Sequence, residues 1–124
     1  MAETGGRKRK RKIYREAGIQ KRAVAWFRAT HPDKILIHIN NNSPGPAAAV
    51  RNRALGVTAG FPDLFLFYPV GIHNGLAIEL KAPGRKPRPE QLQIHDRLSV
   101  CGYLVLVVRS FDSFKRVVTD YLGG

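Results

Sequence analysis

The segment 76–81 constrains the fold of this chain most, because its side chains divide into two chemically different faces. Successive side chains of a β-strand point to opposite sides of a sheet. One face of the segment is wholly apolar and consists of Leu76, Ile78 and Leu80. The other face carries Glu79 and Lys81. This alternation predicts a strand that packs its apolar side on a core and holds two charged groups together on the opposite side.

A second strand-like run, residues 63–68, precedes this strand and is separated from it by a loop with Pro, Gly and Asn. Two such runs joined by this kind of loop are typical of a β-hairpin. If the hairpin centres on Gly71 or Ile72, Asp63 lies directly opposite Glu79 or Lys81. A slip of one residue would send Asp63 to the other face, so the cluster depends on a register that the sequence does not fix.

Two carboxylates and an amine on one small face favour a metal-dependent hydrolytic site. Neighbouring carboxylates repel each other unless a cation or a proton lies between them. Mg²⁺ and Mn²⁺ take oxygen ligands and are usually held by one or two carboxylates together with substrate phosphates. An adjacent lysine can orient the attacking water and stabilise charge on the phosphate. The alternative is that Glu79 and Lys81 form an exposed cross-strand pair and that Asp63 merely begins a strand.

The first helix is predicted over residues 14–29 from helical periodicity. One face of this helix is formed by Glu16, Gln20, Ala23 and Phe27. Glu16 therefore lies in line with a core-facing stripe, where it can project into a site at the sheet edge. An acidic residue in the first turn of a helix is also favoured by the helix dipole, and on helix physics alone this second interpretation is the stronger one.

The later segments predict a mixed β-sheet flanked by α-helices in a single α/β domain. In chain order they are a strand over 35–39, an irregular segment over 40–60 with a short helix within 47–55, the hairpin, a helix over 89–101, a strand over 103–108 and a helix capped by Ser110. The continuously apolar strand 103–108 is typical of a central strand covered on both faces. Strand, helix and strand in this order imply a parallel crossover. Gln91 lies in the first turn of its helix and faces the hairpin, although an exposed helix-start residue has the same pattern.

The charge of the chain favours a polyanionic partner. It contains 21 Lys and Arg against 9 Asp and Glu. Six of these basic residues are consecutive, namely Arg7, Lys8, Arg9, Lys10, Arg11 and Lys12. Residues 1–13 predict a disordered basic arm that binds phosphates without reading sequence, ahead of a domain over 14–124 that is itself basic. A solubilising tail and a nuclear localisation signal have the same composition. Further candidate phosphate-binding residues are Arg51, Arg53, Arg85 and Lys86.

The chain resembles the VRR-NUC (virus-type replication-repair nuclease) family, a branch of the PD-(D/E)xK nucleases. The matching stretches cover about residues 14 to 122. They are Glu16-Ala-Gly-Ile-Gln20, Ile39-Asn40-Asn41, Gly60-Phe-Pro-Asp63, Ile78-Glu-Leu-Lys-Ala-Pro83, Pro89-Glu-Gln91 and Val107-Val-Arg-Ser110. The resemblance implies that Asp63, Glu79 and the backbone carbonyl of Leu80 are metal ligands and that Lys81 is the catalytic lysine. It also implies that Glu16 completes the site, in part through water, and that Gln91 assists.

The resemblance further implies a restriction-endonuclease-like fold and a Mg²⁺- or Mn²⁺-dependent endonuclease that hydrolyses DNA phosphodiesters. Stand-alone members of the family are similar to structure-selective enzymes that resolve four-way (Holliday) junctions in DNA repair, replication and recombination as homodimers. Two sites on a symmetric pair suit the nicking of two strands. The runner-up hypothesis is a non-catalytic basic DNA-binding module with a structural acidic cluster.

The single cysteine and the hydropathy of the chain predict a soluble, intracellular protein. Cys101 has no cysteine partner within the chain, so a reduced compartment and a packing role at an apolar helix end are expected. The sequence contains neither an apolar run long enough to span a bilayer nor the apolar stretch of a signal peptide. A cytoplasmic bacterial or viral setting and a nuclear one both fit the basic arm.

Overall fold

The computed structural model describes residues 5–39 and 44–123, with side chains from Arg15 onward. Its helices and strands alternate in the predicted order. They are α1 (Gly5–Thr30), β1 (Leu36–His38), α2 (Pro46–Ala54), β2 (Leu64–Leu66), β3 (Gly75–Leu80), α3 (Pro89–Val100), β4 (Tyr103–Val108) and α4 (Phe111–Tyr121). The prediction of a mixed sheet flanked by helices is therefore confirmed. None of the helices described here is both long and apolar enough to cross a bilayer.

The four strands form one sheet in the order β1-β2-β3-β4. The β1–β2 and β2–β3 pairs are antiparallel, and β3 pairs with β4 in parallel. In the hairpin, Leu64 pairs with Ile78 and Leu66 with Leu76, so the hairpin centres on Gly71. The next residues along the same register are Asp63 and Glu79, which therefore face each other. Of the two predicted registers, the structure has the one that places Asp63 opposite Glu79 rather than opposite Lys81.

The two faces of β3 contact different helices, as the alternating pattern predicts. The main core lies between the sheet and helices α1 and α4. Its members include Ala23, Phe27, Leu64, Leu66, Leu76, Ile78, Leu80, Phe114 and Val118. On the opposite face, Ala77 and Phe65 pack against Ile94 and Leu98 of α3. Glu79 and Lys81 share the side of Ala77, so both project toward α3 at the end of the hairpin.

Two predictions in the C-terminal half are wrong. Strand β4 is an edge strand rather than a central one. Its apolar run reflects cover on both faces, because Leu104 and Leu106 contact the main core while Tyr103 and Val105 contact the α3 side. A continuous apolar pattern thus reports burial of the two faces and does not report the number of neighbouring strands. Cys101 is exposed rather than packed, because it caps α3 beyond the last buried turn.

Helix α1 begins earlier than predicted. Its backbone is helical from Gly5, so residues 5–13, which were expected to be disordered, continue the helix. Lysine and arginine have high helix propensity, and adding residues to an existing helix costs little compared with nucleating one. The side chains of the basic run Arg7 to Lys12 lie outside the described residues, as do residues 1–4, Asn40 and Asn41. The short helix predicted within 47–55 is confirmed as α2.

Candidate active site

An open cleft of about 360 Å³ lies where α1, the hairpin and the start of α3 meet. All five side chains predicted to act in catalysis line this cleft. They are Glu16, Asp63, Glu79, Lys81 and Gln91. Leu80 and Arg85 line it as well, together with His38, Phe61, Lys21 and Arg88. Residues that are up to 75 positions apart in the sequence thus share one polar surface.

The centre of the cleft is a pair of carboxyl groups. Glu79 is 2% exposed, and the hairpin register places its side chain opposite that of Asp63. Asp63 Oδ2 accepts a hydrogen bond of 2.7 Å from the backbone N–H of Leu80, which fixes Asp63 at the end of the hairpin. Burial, a hydrogen bond that protonated Glu79 donates to Asp63 and the negative charge of Asp63 raise the pKa of Glu79 to about 9. In the absence of a metal ion, this shift favours the protonated form of Glu79 at neutral pH.

Lys81 lies beside this pair and is 3% exposed. Burial lowers the pKa of its ammonium, the charge of nearby Glu79 opposes that shift, and the charge of Arg85 adds to it. Glutamate and lysine are rarely buried to this degree unless they are paired or functional. The alternative of an exposed cross-strand pair at Glu79 and Lys81 is therefore wrong.

Glu16 holds the basic turn that follows Lys81. Its Oε2 atom accepts hydrogen bonds of 2.9 Å from the backbone N–H of Ala82 and from Nη1 of Arg85. From the other side, Arg109 Nη1 donates to the carbonyl oxygens of Ala82 and Arg85. Because α1 begins at Gly5, Glu16 lies about three turns inside the helix rather than in its first turn. Its position is thus not explained by the helix dipole.

Helix α3 presents two polar side chains to the carboxyl pair. Gln91 is 5% exposed, and its Oε1 accepts a 2.8 Å hydrogen bond from the backbone N–H of Arg88, which caps the helix. One turn later, Nε2 of His95 lies 3.2 Å from Oε1 of Glu79. His95 was not predicted as a site residue. Its spacing of four residues from Gln91 places both side chains on one face of α3, but this spacing indicates a site only when that face is known to lie over Glu79.

The predicted phosphate-binding residues lie in different surroundings. Arg85 lies inside the cleft in its ion pair with Glu16. Lys86 is exposed on the same turn, and Arg51 and Arg53 are exposed on α2, which has no buried residue. Arg88 was not predicted, yet it lines the cleft and forms an ion pair of 3.3 Å with Glu90. The cleft thus combines an acidic centre with basic residues along one rim.

Comparison with known proteins identifies the family. The profile of the VRR-NUC domain matches residues 3–112. The chain belongs to the VRR-NUC family. This confirms the resemblance inferred from the motifs. A solved VRR-NUC domain protein is similar in structure to this chain, with a TM-score of 0.70 and 27% identity, and the match covers 86% of this chain and 87% of that protein. A second solved VRR-NUC domain has a TM-score of 0.58 and 28% identity, and covers 86% of this chain and 97% of its own.

This VRR-NUC chain is also similar to a phage protein named "Putative nuclease p44", from Acyrthosiphon pisum secondary endosymbiont phage 1. The two are 43% identical over 53 residues, which is 43% of this chain and 55% of the phage protein. The match therefore spans about half the length of that relative.

Proposed function

We propose that this VRR-NUC protein is a divalent-metal-dependent endonuclease that hydrolyses DNA phosphodiester bonds. The observation that carries the proposal is the buried carboxyl group of Glu79, which faces the half-buried Asp63 and lies beside the buried Lys81 in an open cleft. Burial shifts the pKa of both Glu79 and Lys81, and buried groups with shifted pKa values in a cleft are typical of a catalytic site. The family membership and the name of the phage relative support the same reaction.

A Mg²⁺ or Mn²⁺ ion fits the carboxyl pair. The raised pKa of Glu79 arises from burial and from Asp63, so a cation at this point would replace the shared proton. No group of three His, Cys, Asp or Glu side chains suited to a metal occurs among the residues that the structure describes. Asp63 and Glu79 would therefore hold the ion with the backbone carbonyl of Leu80, water and substrate phosphate, an arrangement common for Mg²⁺. When bound, such an ion polarises the phosphate and lowers the pKa of water.

The remaining side chains of the cleft have separate roles in the proposal. Lys81 orients the attacking water, and the lowered pKa of its ammonium eases proton transfer. Arg85 and Arg88 bind phosphate oxygens and stabilise the charge that develops on them. Glu16 completes the site by fixing the turn that carries Arg85, and, as the resemblance implies, it would contact the ion through a water. Gln91 fixes the first turn of α3 through its hydrogen bond with the backbone N–H of Arg88, and its side chain lines the cleft.

The test is a cleavage assay with labelled four-way junction, flap and linear duplex DNA, with Mg²⁺, Mn²⁺ or EDTA. Lys81→Ala is the test variant and Lys115→Ala, on α4, is the matched lysine control. We expect metal-dependent cutting that falls by about 10²-fold or more in Lys81→Ala, while DNA binding is largely kept. Cleavage in EDTA contradicts the metal mechanism. DNA that is bound and never cut favours the non-catalytic DNA-binding module.

Two finer parts of the proposal rest on the resemblance to stand-alone family members. The first is a preference for branched DNA, which the same assay tests as the ratio of cleavage rates for junction and linear duplex. The second is a homodimer, which light scattering on the eluted protein tests directly. Equal rates on linear and branched DNA would contradict the first, and a monomer both free and bound to DNA would contradict the second.

A further inference from the structure

His95 contacts the proposed metal ligand Glu79 from a helix that is firmly packed on the sheet. The Nε2 atom of His95 lies 3.2 Å from Oε1 of Glu79, and the two side chains are 12% and 2% exposed. The height of His95 above the sheet is set by Ile94 and Leu98, which are buried against Ala77 and Phe65. The contact is therefore part of the packed structure rather than a surface encounter.

We infer that His95 is a positioning residue, which donates the Nε2 hydrogen to Oε1 of Glu79 and fixes the orientation of that carboxylate for the metal. This inference rests on the proposed function. A glutamate side chain has several rotatable bonds, so a ligating oxygen is held in place only if the other contacts of the carboxylate are fixed. Hydrogen bonds to the ligands of a metal commonly have this role.

The direction of the hydrogen bond follows from the chemistry of the two groups. An ionised carboxylate only accepts hydrogen bonds, whereas a neutral imidazole has one donor nitrogen and one acceptor nitrogen. When Glu79 holds a cation it is ionised, so the hydrogen must belong to Nε2 of His95. The other carboxylate, Asp63, is held in an equivalent way by the backbone N–H of Leu80. Each of the two proposed ligands thus has its own hydrogen-bond donor.

The experiment compares full-length variants that keep or remove this donor. His95→Phe keeps a ring and has no donor, whereas His95→Gln places an amide N–H at about the reach of Nε2. His31→Phe is the matched control, because His31 contacts Trp26 and Phe27 and does not line the cleft. Circular dichroism checks that each variant is folded. If His95→Phe does not fold, His95→Met, which also lacks a donor, replaces it.

The first measurement is calorimetric titration of Mn²⁺ into the protein without DNA. We expect binding that is roughly 10- to 100-fold weaker in His95→Phe, near that of the wild type in His95→Gln, and unchanged in His31→Phe. The second measurement is cleavage against Mn²⁺ concentration. The concentration for half-maximal cleavage should rise by the same factor in His95→Phe, while the rate at saturating Mn²⁺ is recovered to within a few-fold. If His95 only supported the fold, its replacement would not weaken Mn²⁺ binding while leaving the rate at saturating Mn²⁺ nearly unchanged.

Three outcomes would overturn the inference in different ways. Equal Mn²⁺ affinity in the wild type and His95→Phe shows that His95 does not position Glu79. Equal losses in His95→Phe and His95→Gln show that the imidazole itself is needed, as for a direct ligand. A wild-type protein that neither binds Mn²⁺ nor cuts DNA removes the proposed function, and the role of His95 with it.

Discussion

At the scale of single residues, the site is defined by charges that are buried where charges are costly. Burying an ionised carboxyl group without a partner is unfavourable, so the group is neutralised or finds a cation. Glu79 illustrates this, because four titratable groups surround it: Asp63 just before β2, Lys81 just after β3, His95 on α3 and Glu16 on α1. Asp63 and Glu16 favour the protonated form of Glu79, and Lys81 opposes it. In the metal-free protein the balance of these effects favours protonated Glu79, and a metal cation would replace that proton.

The raised pKa of Glu79 predicts how the free energy of unfolding depends on pH when EDTA keeps the protein free of metal. The pKa of Glu79 is raised from 4.5 to about 9, so the folded state binds an additional proton within that window. The corresponding contribution to stability is complete below about pH 4.5 and is lost as the pH rises through about 9. Glu79→Gln cannot lose this proton. We therefore expect the free energy of unfolding of Glu79→Gln to exceed that of the wild type by an amount that grows with pH.

Urea unfolding at about pH 5 and about pH 8.5 measures the difference in unfolding free energy between Glu79→Gln and the wild type. We expect this difference to be larger at the higher pH by about 1 kcal/mol or more, because a tenfold change in proton affinity corresponds to about 1.4 kcal/mol. Glu90→Gln is the matched control, since Glu90 is 47% exposed. Added Mn²⁺ should stabilise the wild type at the higher pH and have little effect on Glu79→Gln. A difference that does not change with pH would show that Glu79 is ionised throughout.

At the scale of elements, the site depends on how closely the segment before β2 approaches α3. Gly60 has φ +82°, and a Cβ atom at this position would lie 2.7 Å from the backbone oxygen of Glu90. A side chain therefore fits neither the backbone conformation nor the space. The contact joins the segment that leads to Asp63 with the helix that carries Gln91 and His95.

Gly60→Ala should therefore cost both stability and cleavage. We expect a loss of about 1–3 kcal/mol in the free energy of unfolding, from backbone strain and displacement of α3. The matched control is Gly56→Ala, because Gly56 has φ +99° but no atom within 4 Å of the added Cβ. Gly56→Ala therefore introduces the same kind of backbone strain as Gly60→Ala, without a steric clash between the added Cβ and a neighbouring residue. Urea unfolding and the cleavage assay should both show the larger effect at Gly60. Equal effects would mean that the approach to α3 is not important.

The fold was predictable wherever a local pattern has one structural meaning. The alternation of residues 76–81 predicts the two faces of β3, and the order of strands and helices predicts the mixed sheet. The pattern of 103–108 has two meanings, because edge and central strands are both apolar when helices cover both faces. The start of α1 was missed because a basic run can be helical or disordered, and the adjoining helix decides between them.

The candidate site was predictable only in part, because its residues meet through tertiary packing. Spacing placed Glu79 and Lys81 together and left Asp63 to one of two registers, which the structure resolves in favour of Glu79. Glu16 and Gln91 came from the family resemblance, since helix physics alone favoured simpler interpretations. His95 was missed because a histidine in a helix has no distinctive pattern until the helix is known to face Glu79. The roles of all these residues remain predictions.

At the scale of the whole molecule, the basic run proposed to bind DNA and the acidic residues proposed to bind the metal lie in different parts of the sequence. The chain has a net charge of +12, and the six consecutive basic residues Arg7 to Lys12 are followed by a domain that is still net basic. The acidic residues of the site lie in a cleft whose rim carries Arg85 and Arg88. A cleft of this kind attracts a phosphate backbone while its acidic centre attracts a cation. Removing the basic run should therefore weaken DNA binding without changing the affinity for metal.

The salt dependence of binding tests this separation. Each phosphate neutralised by a basic side chain contributes about −0.9 to the slope of log K against log salt on duplex DNA. If all six residues contact phosphates, replacing them together by glutamine should reduce the magnitude of the slope by roughly 5. Replacing Lys115 and Arg116 of α4 by glutamine is the control for a change in net charge away from the cleft, and it should alter the slope much less.

The same variant distinguishes a DNA-binding arm from a solubilising one. For a DNA-binding arm, cleavage at low DNA concentration should fall, while the rate at saturating DNA and the affinity for Mn²⁺ should match those of the wild type, because the cleft is intact. For a solubilising tail, the slope and the cleavage rates should stay unchanged while the solubility falls. A loss of the rate at saturating DNA would contradict both, and would mean that the start of α1 supports the position of Glu16 at the cleft.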